Sequence, residues 1–341
     1  AAQKKAFRRQ ACFEEKESCR WMEMLQSGEQ LSRQHPETTF IHVADSEADI
    51  CELFCETATF PDNNHLIVRG CHTRSITSAV DSVGSEVIEA KTVGEALAQA
   101  TPRFQRTVAI GGRDASVLPD DQQRARKQPR EARNAVLTMR AVTVTIAGPR
   151  RPGGGALPDV TINVVEALEE NPPEGDTPVH WFLFTTMPVT TDDDVDAVLV
   201  GYRNRWPVET FFKTNKSGLK IEDMKYKTLD RYLVAFAMLS VVAWRVEHLK
   251  TAARATPESP CSDYYEPHEW QAIVAFVTRK PANPSRPPTM QEFICAVAKL
   301  GGYINKRSQG PPGSKTLWRG MSQFETIVQA YQIFAPKTCG V

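Results

Sequence analysis

Strand-like and helix-like patterns divide this chain at one place, and that division limits the folds open to it. The runs of β-branched and apolar residues that read as strands lie before residue 187: Thr38–Ala44, His65–Arg69, Ala135–Ile146, Asp159–Ala167 and Trp181–Thr186. Beyond Asp192 the pattern is mostly helical, with helices predicted over 193–204, 207–217, 228–249, 266–277, 289–299 and 315–331. Asp192 is a candidate N-cap, and Pro207 suits the first turn of its helix. Near the start, residues 8–34 read as a helix. The strand Thr38–Ala44, a helix over Glu47–Glu56 and the strand His65–Arg69 then form a β-α-β pattern. From 75 to 180 the character changes. Leu118–Arg133 is a polar, basic loop, Arg151–Gly155 a hinge-like one, and Pro172-Pro173 closes a connection.

Length supports more than one domain, since 341 residues correspond to about two domains of ordinary size. Hydrophobic residues at 41% and charged residues at 24% exclude global disorder, collagen and coiled coil. The longest apolar run, Tyr232–Trp244, has 13 residues between Arg231 and Arg245. A span needs about 20, so a buried helix is predicted. No N-terminal segment has a signal-peptide layout. Eight cysteines without a CxxC pair indicate neither a disulfide framework nor a zinc ribbon, and fit a reduced cytosol. The chain opens Ala1-Ala2-Gln3-Lys4 inside a helical pattern and without methionine, as a fragment would.

Charge sums to zero but is segregated. Gln122–Arg151 carries eight basic residues against Glu131 alone, and Tyr202–Lys227 carries seven against three acids. Asp45–Glu56 has five acids and no base. Basic stripes beside an acidic spot suit a protein that holds a polyanion against a metal; taken singly, each stripe also reads as solvated surface.

Two constellations could carry chemistry. Asp45 ends the first strand in Ala44-Asp45-Ser46-Glu47-Ala48-Asp49, where open α/β sheets place ligands. A strand-end carboxylate serves as part of a Mg²⁺ site, or equally as a cap of the helix that follows. The second constellation is Tyr202-x2-Arg205-x3-Glu209-x6-Lys216. At ~100° per residue, Glu209 and Lys216 fall within about 20° of one another on one helix face. Glu209 could hold a metal, Arg205 and Lys216 could hold phosphates, and Tyr202 offers a hydroxyl or a ring. An amphipathic helix with surface ion pairs would show the same pattern. Cys51 and Cys55 share a helix face without a nearby histidine and read as buried thiols. Gly153-Gly154-Gly155 lacks the Lys-Ser/Thr of a P-loop.

The segment from Tyr202 to Gly218 resembles the Y-x2-R-x3-E-x6-K signature of DDE transposases of the IS-four insertion-sequence family. Val43–Ile50 resembles the family's V-x-D-R-E-A-D-I segment, with Ser46 where arginine is usual. His65–Arg69, Asn171–Trp181, Leu300–Ile304, Gly310–Gly313 and Leu317–Gly320 resemble further segments in the same order. The likeness runs from about Lys16 to Gln329.

The resemblance implies an α/β, RNase H-like core over 1–75 and 181–255, interrupted by a β-rich insertion at 76–180. A C-terminal helical, dimerisation-type region would follow over 256–341. It implies Asp45 and Glu209 as catalytic, metal-binding carboxylates for Mg²⁺, with Mn²⁺ as substitute. Arg69, Trp181, Tyr202, Arg205 and Lys216 would be DNA contacts, Trp181 stacking on a flipped-out base. It implies cleavage of transposon ends and strand transfer into target DNA by a homodimer in the bacterial cytoplasm, nucleoid-associated when DNA-bound, with no membrane. The family's first catalytic Asp stands on the first core strand, yet residues 1–44 contain no aspartate. An N-terminal part with that strand is therefore expected to be missing, and this chain to be inactive alone. A non-catalytic DNA-binding remnant or inhibitor, and an RNase H-like nuclease, remain alternatives.

Overall fold

The computed structural model describes residues 13–112, 130–150, 155–306 and 310–334. Most of the Leu118–Arg133 and Arg151–Gly155 loops, and the start of the 8–34 helix, lie outside the described residues. The chain forms two compact units, Ala1–Arg205 and Trp206–Val341.

The N-terminal unit is a mixed α/β layer structure. Its strands are β1 (Phe40–Ala44), β2 (Asn64–Arg69), β3 (Ile76–Asp81), β4 (Phe104–Ile110), β5 (Arg133–Ile146), β6 (Val160–Leu168) and β7 (His180–Thr185). They form one sheet in the order β1-β2-β7-β6-β5-β3, with β4 also on β5. β1 and β2 run parallel, as the β-α-β pattern requires, and the other pairings are antiparallel. The strands of the 76–168 region thus continue the sheet that begins with β1 and β2.

Alternation assigns the two faces. Leu66, Val68, Val142, Val144, Val164 and Phe184 pack with Leu25 of α1 (Cys19–Gln34), Phe54 of α2 (Cys51–Glu56) and Leu97 of α3 (Val93–Gln99). Ile67, Ala141, Val165 and Leu183 pack instead with Val195, Val198, Leu199 and Tyr202 of α4 (Asp192–Arg203). Cover on both faces explains why β5 and β6 read as long, nearly continuous apolar runs.

Thr191, not Asp192, is the N-cap of α4, in a capping box with Asp194. The hydroxyl accepts the Asp194 N–H while the Asp194 carboxylate accepts the Thr191 N–H, a reciprocity open to Thr191 three residues upstream.

The C-terminal unit comprises α5 (Trp206–Lys213), a π-helical turn (Thr214–Gly218), α6 (Leu229–Ala255), α7 (Pro267–Thr278), α8 (Met290–Leu300) and α9 (Ser314–Phe334). Val246, Leu249, Trp270, Phe293, Val297, Leu317 and Phe324 form its core. Two glycines set the approach of α8 and α9. A Cβ on Gly320 would lie 2.0 Å from the Val297 carbonyl oxygen, and one on Gly301 would lie 1.9 Å from that of Thr316. The Tyr232–Trp244 run departs from the expected buried helix. It lies in the 27-residue α6, whose length and composition would suffice to cross a membrane. Only Ala243 of the run is buried, whereas Met238 is 68% and Trp244 59% exposed. The reason is where packing starts: the helical core closes around α6 only from Val246 onward.

Candidate functional site

The carboxyl ends of β1 and β2 gather the first group. Asp45 follows β1 and is half-buried. It caps the single 3₁₀ turn Ser46–Ala48, accepting the Glu47 N–H at 2.9 Å. The capping geometry read from the sequence is therefore real. It does not exhaust the carboxylate, which offers about four lone-pair positions when ionised. Arg69, the last residue of β2, donates to the Ser46 hydroxyl at 3.3 Å. That acceptor is neutral, and among the described residues no carboxylate forms an ion pair with Arg69. An anionic oxygen donor and an uncancelled guanidinium thus stand on adjacent strand ends.

The second group lies on the α4 face of the sheet. The Trp181 and Tyr202 rings meet edge to face with centroids 5.4 Å apart, and the Arg205 guanidinium lies 6.0 Å from the Tyr202 ring centroid. Three of the residues singled out in the sequence are brought together here. Tyr202 is buried, so its ring is part of the core and a support for Trp181, which remains partly exposed.

The third group belongs to the C-terminal unit. Glu209 is exposed on the first turns of α5. The helical arithmetic that aligned it with Lys216 assumed an unbroken α-helix. Instead α5 ends at Lys213 and the chain continues as the π-turn, which changes the angular step between residues, so that alignment does not hold. Lys216 pairs with Glu222 at 3.0 Å at the surface. The π-turn itself is anchored. The Thr214 hydroxyl donates to Glu247 on α6, and Glu247 also accepts from Lys250 at 2.8 Å and from the Ser314 hydroxyl at 3.2 Å. π-Turns of this kind are frequent at functional sites.

Sequence reasoning missed the partners of the acids and of the basic stripe. Asp49 is fully buried and ion-paired with Arg74. Arg133 and Arg140, two members of the Gln122–Arg151 stripe, are paired with Glu169 and Asp176 and with Glu166 and Glu170 respectively. They are tied into the sheet, not offered to a polyanion. The cysteines follow expectation: Cys51 is buried, and burial pushes the half-buried Cys55 thiol up to about 11.

Asp49, Cys71 and His72 lie close enough together to share a cation. One Asp49 oxygen faces Arg74, however, and the other accepts the N–H groups of Cys71 and His72, so this cluster does not suit a metal. Asp45 and Glu209, each taken by itself, offer the hard carboxylate oxygens that Mg²⁺ takes.

Residues 86–244 match the transposase DDE domain, and residues 241–335 match the Tn5 transposase dimerisation domain. The two matches meet within α6, and together they support a DDE transposase. The first contains Trp181, Tyr202, Arg205, Glu209 and Lys216; Asp45 and Arg69 precede it. Transposases of these families bind DNA and dimerise, and DDE transposases generally use divalent metal ions.

Proposed function

We propose that the chain is a DNA transposase of the IS-four type, with an RNase H-like core that includes β1, β2, β7 and α4. In this reading the strands between residues 76 and 180 form the β-rich insertion, and residues 256–341 the dimerisation region. The observation that carries the proposal is the Tyr202-x2-Arg205-x3-Glu209-x6-Lys216 series inside the matched DDE domain, with Trp181 seated on the first of its members.

Asp45 and Glu209 would hold Mg²⁺, or Mn²⁺ in its place. Bound there, the ion would supply Lewis-acid stabilisation and an activated water at a DNA phosphodiester. The protein groups do the rest. Arg69 and Arg205 would grip phosphate oxygens through their forks, and Lys216 would act as a point charge. Trp181, which is partly exposed, would receive an unstacked base while Tyr202 supports its ring. The physiological setting would be transposon ends and target DNA in a bacterial cytoplasm, with a second copy of the chain in the paired-end complex. A non-catalytic DNA-binding protein is the second reading, since residues 1–44 hold no aspartate to stand beside Asp45 and Glu209.

Binding of duplexes with and without one unpaired base tests the proposal. Wild type is expected to favour the unpaired base, and Trp181→Ala to lose that preference by about 5- to 150-fold, the equivalent of ~1–3 kcal/mol of stacking. Equal affinity of wild type for both duplexes, or no binding at all, would overturn it. Cleavage with Mg²⁺ or Mn²⁺ by residues 1–341 alone is expected to be absent, because a cooperating set short of one member loses orders of magnitude in rate. Robust cleavage lost in Glu209→Gln would show that two carboxylates suffice.

A further inference from the structure

The turn that carries Asp45 is tied down at its far end by a residue with no assigned role. Residues 45–49 form one tight turn, with the Glu47 N–H on the Asp45 side chain and the Ala48 N–H on the Asp45 carbonyl at 3.2 Å. Asp49 closes that turn with its side chain wholly buried. Its Oδ2 accepts the N–H groups of Cys71 at 2.8 Å and His72 at 3.0 Å, in the loop just after β2. Its Oδ1 accepts Arg74 Nε at 2.8 Å and the neighbouring Nη2, and that Nη2 also reaches the Asp49 carbonyl at 2.8 Å.

Arg74 is held in turn. Its guanidinium lies 5.0 Å from the centroid of the Phe54 ring and 5.9 Å from that of Phe184. The Cys71 thiol donates to the Ser46 carbonyl at 3.4 Å, and Arg69 reaches the Ser46 hydroxyl. A planar fork locked between a carboxylate and two aromatic faces admits one geometry. A turn this short cannot move at residue 45 while residue 49 stays fixed.

We propose that Asp49 and Arg74 are positioning residues: they clamp the Asp45 turn to the strand end that carries Arg69, so that the Asp45 carboxylate and the Arg69 guanidinium are presented as one unit. The clamp stands on geometry; its use in gripping DNA rests on the function proposed above. The carboxylate of Asp49 is spent on this clamp, which separates its role from that of Asp45 within the same acidic segment.

Two readouts on the full chain test this. The first is hydrogen–deuterium exchange by mass spectrometry. Asp49→Asn puts an amide where donors already converge, and should speed exchange over 44–50 and 70–75 by about tenfold, the loss of one to two net hydrogen bonds. Exchange over β5 should stay unchanged. Arg74→Lys keeps the charge but not the fork and should give a smaller rise at the same places; it stands in if Asp49→Asn does not fold. Unchanged exchange in both loops, or equal loss of protection in β5, would refute the clamp.

The second readout is duplex-DNA affinity at fixed salt for Asp49→Asn, Arg69→Gln and the double variant. Positioning through Arg69 predicts a non-additive result, with the double variant no weaker than Arg69→Gln alone. Additive losses, or loops that loosen without any loss of affinity, would refute positioning. If wild type binds no DNA, the functional reading falls, positioning falls with it, and the clamp is judged on exchange alone.

Discussion

Breaking the Arg133 ion pair should unseat the strand that delivers Trp181. Arg133 opens β5, and its guanidinium grips the Glu169 carboxylate through two nitrogens and Asp176 through Nε at 3.0 Å. The Glu169 and Arg133 side chains are only 3% and 12% exposed. Glu169 stands just after β6. Its carboxylate accepts the Val179 N–H at 3.0 Å, and its own N–H donates to the Val179 carbonyl at 2.8 Å, which fixes the chain just before His180 and Trp181. Replacing Arg133 by methionine would strand a buried carboxylate, a change that costs about 3–5 kcal/mol when one partner of a buried pair is removed. Against a domain stability of ~5–15 kcal/mol this is a large fraction. At roughly 2–4 °C per kcal/mol for a unit of this size, the melting temperature should fall by about 6–20 °C. Thermal and urea unfolding followed by circular dichroism measure it. Arg133→Met/Glu169→Met removes both buried charges and leaves the Val179 N–H without its side-chain acceptor and the more exposed Asp176 without its arginine, so it should be less destabilised than Arg133→Met alone. A single-variant cost below about 1 kcal/mol, or a double variant equal to the sum of the singles, would refute the reasoning.

Gly320→Ala should destabilise the C-terminal unit by about 1–3 kcal/mol, although alanine is the better helix former, because the added methyl would overlap the Val297 carbonyl; an unchanged urea midpoint would contradict this. Burial lowers the folded-state pKa of His42 and His65 below the ordinary 6.5, so their contribution is fully present above that value and is lost as pH falls from it through the folded pKa. Unfolding midpoints should therefore drop between pH 7.5 and 5.5, and drop less in His42→Gln; an equal drop in both proteins would clear His42 of the effect.

What the sequence made legible was local. The helices beyond residue 191 announce themselves through signals within a few residues: Thr228 caps α6, Thr289 and Glu292 box α8, and Pro207 sits in the first turn of α5. The Leu300-Gly-Gly and Leu317-Trp-Arg-Gly segments also have a local physical meaning, since Gly301 and Gly320 are where backbones of α8 and α9 nearly touch. Strands β3 and β4 were not legible. Both are defined by pairing with β5, whose residues lie tens of positions further along the chain, and neither is apolar enough to declare itself. The π-turn after Lys213 was equally invisible, because it depends on Thr214 meeting Glu247 of α6. The candidate site divides in the same way. Tyr202 and Arg205 could be named from spacing and Trp181 from the family resemblance, whereas the Asp49–Arg74 clamp joins residues that look like ordinary surface charges until the two loops are folded together.

The distribution of charge shows why density along a sequence is a poor guide to where a polyanion would be held. The Gln122–Arg151 stripe is the most basic stretch of the sequence, yet two of its described members, Arg133 and Arg140, are paired with acids further along the sheet. A charge cancelled at about 3 Å contributes little field a Debye length away, which is about 8–10 Å at ordinary salt. Arg69 sits in no basic run at all, and among the described residues its side chain donates to the hydroxyl of Ser46 and to no carboxylate. It therefore keeps its field, at the strand end next to Asp45. A chain with zero net charge can still present a cation to a phosphate where a guanidinium, like that of Arg69, has no carboxylate partner among the described residues. That guanidinium stands at the strand end next to the one that carries Asp45.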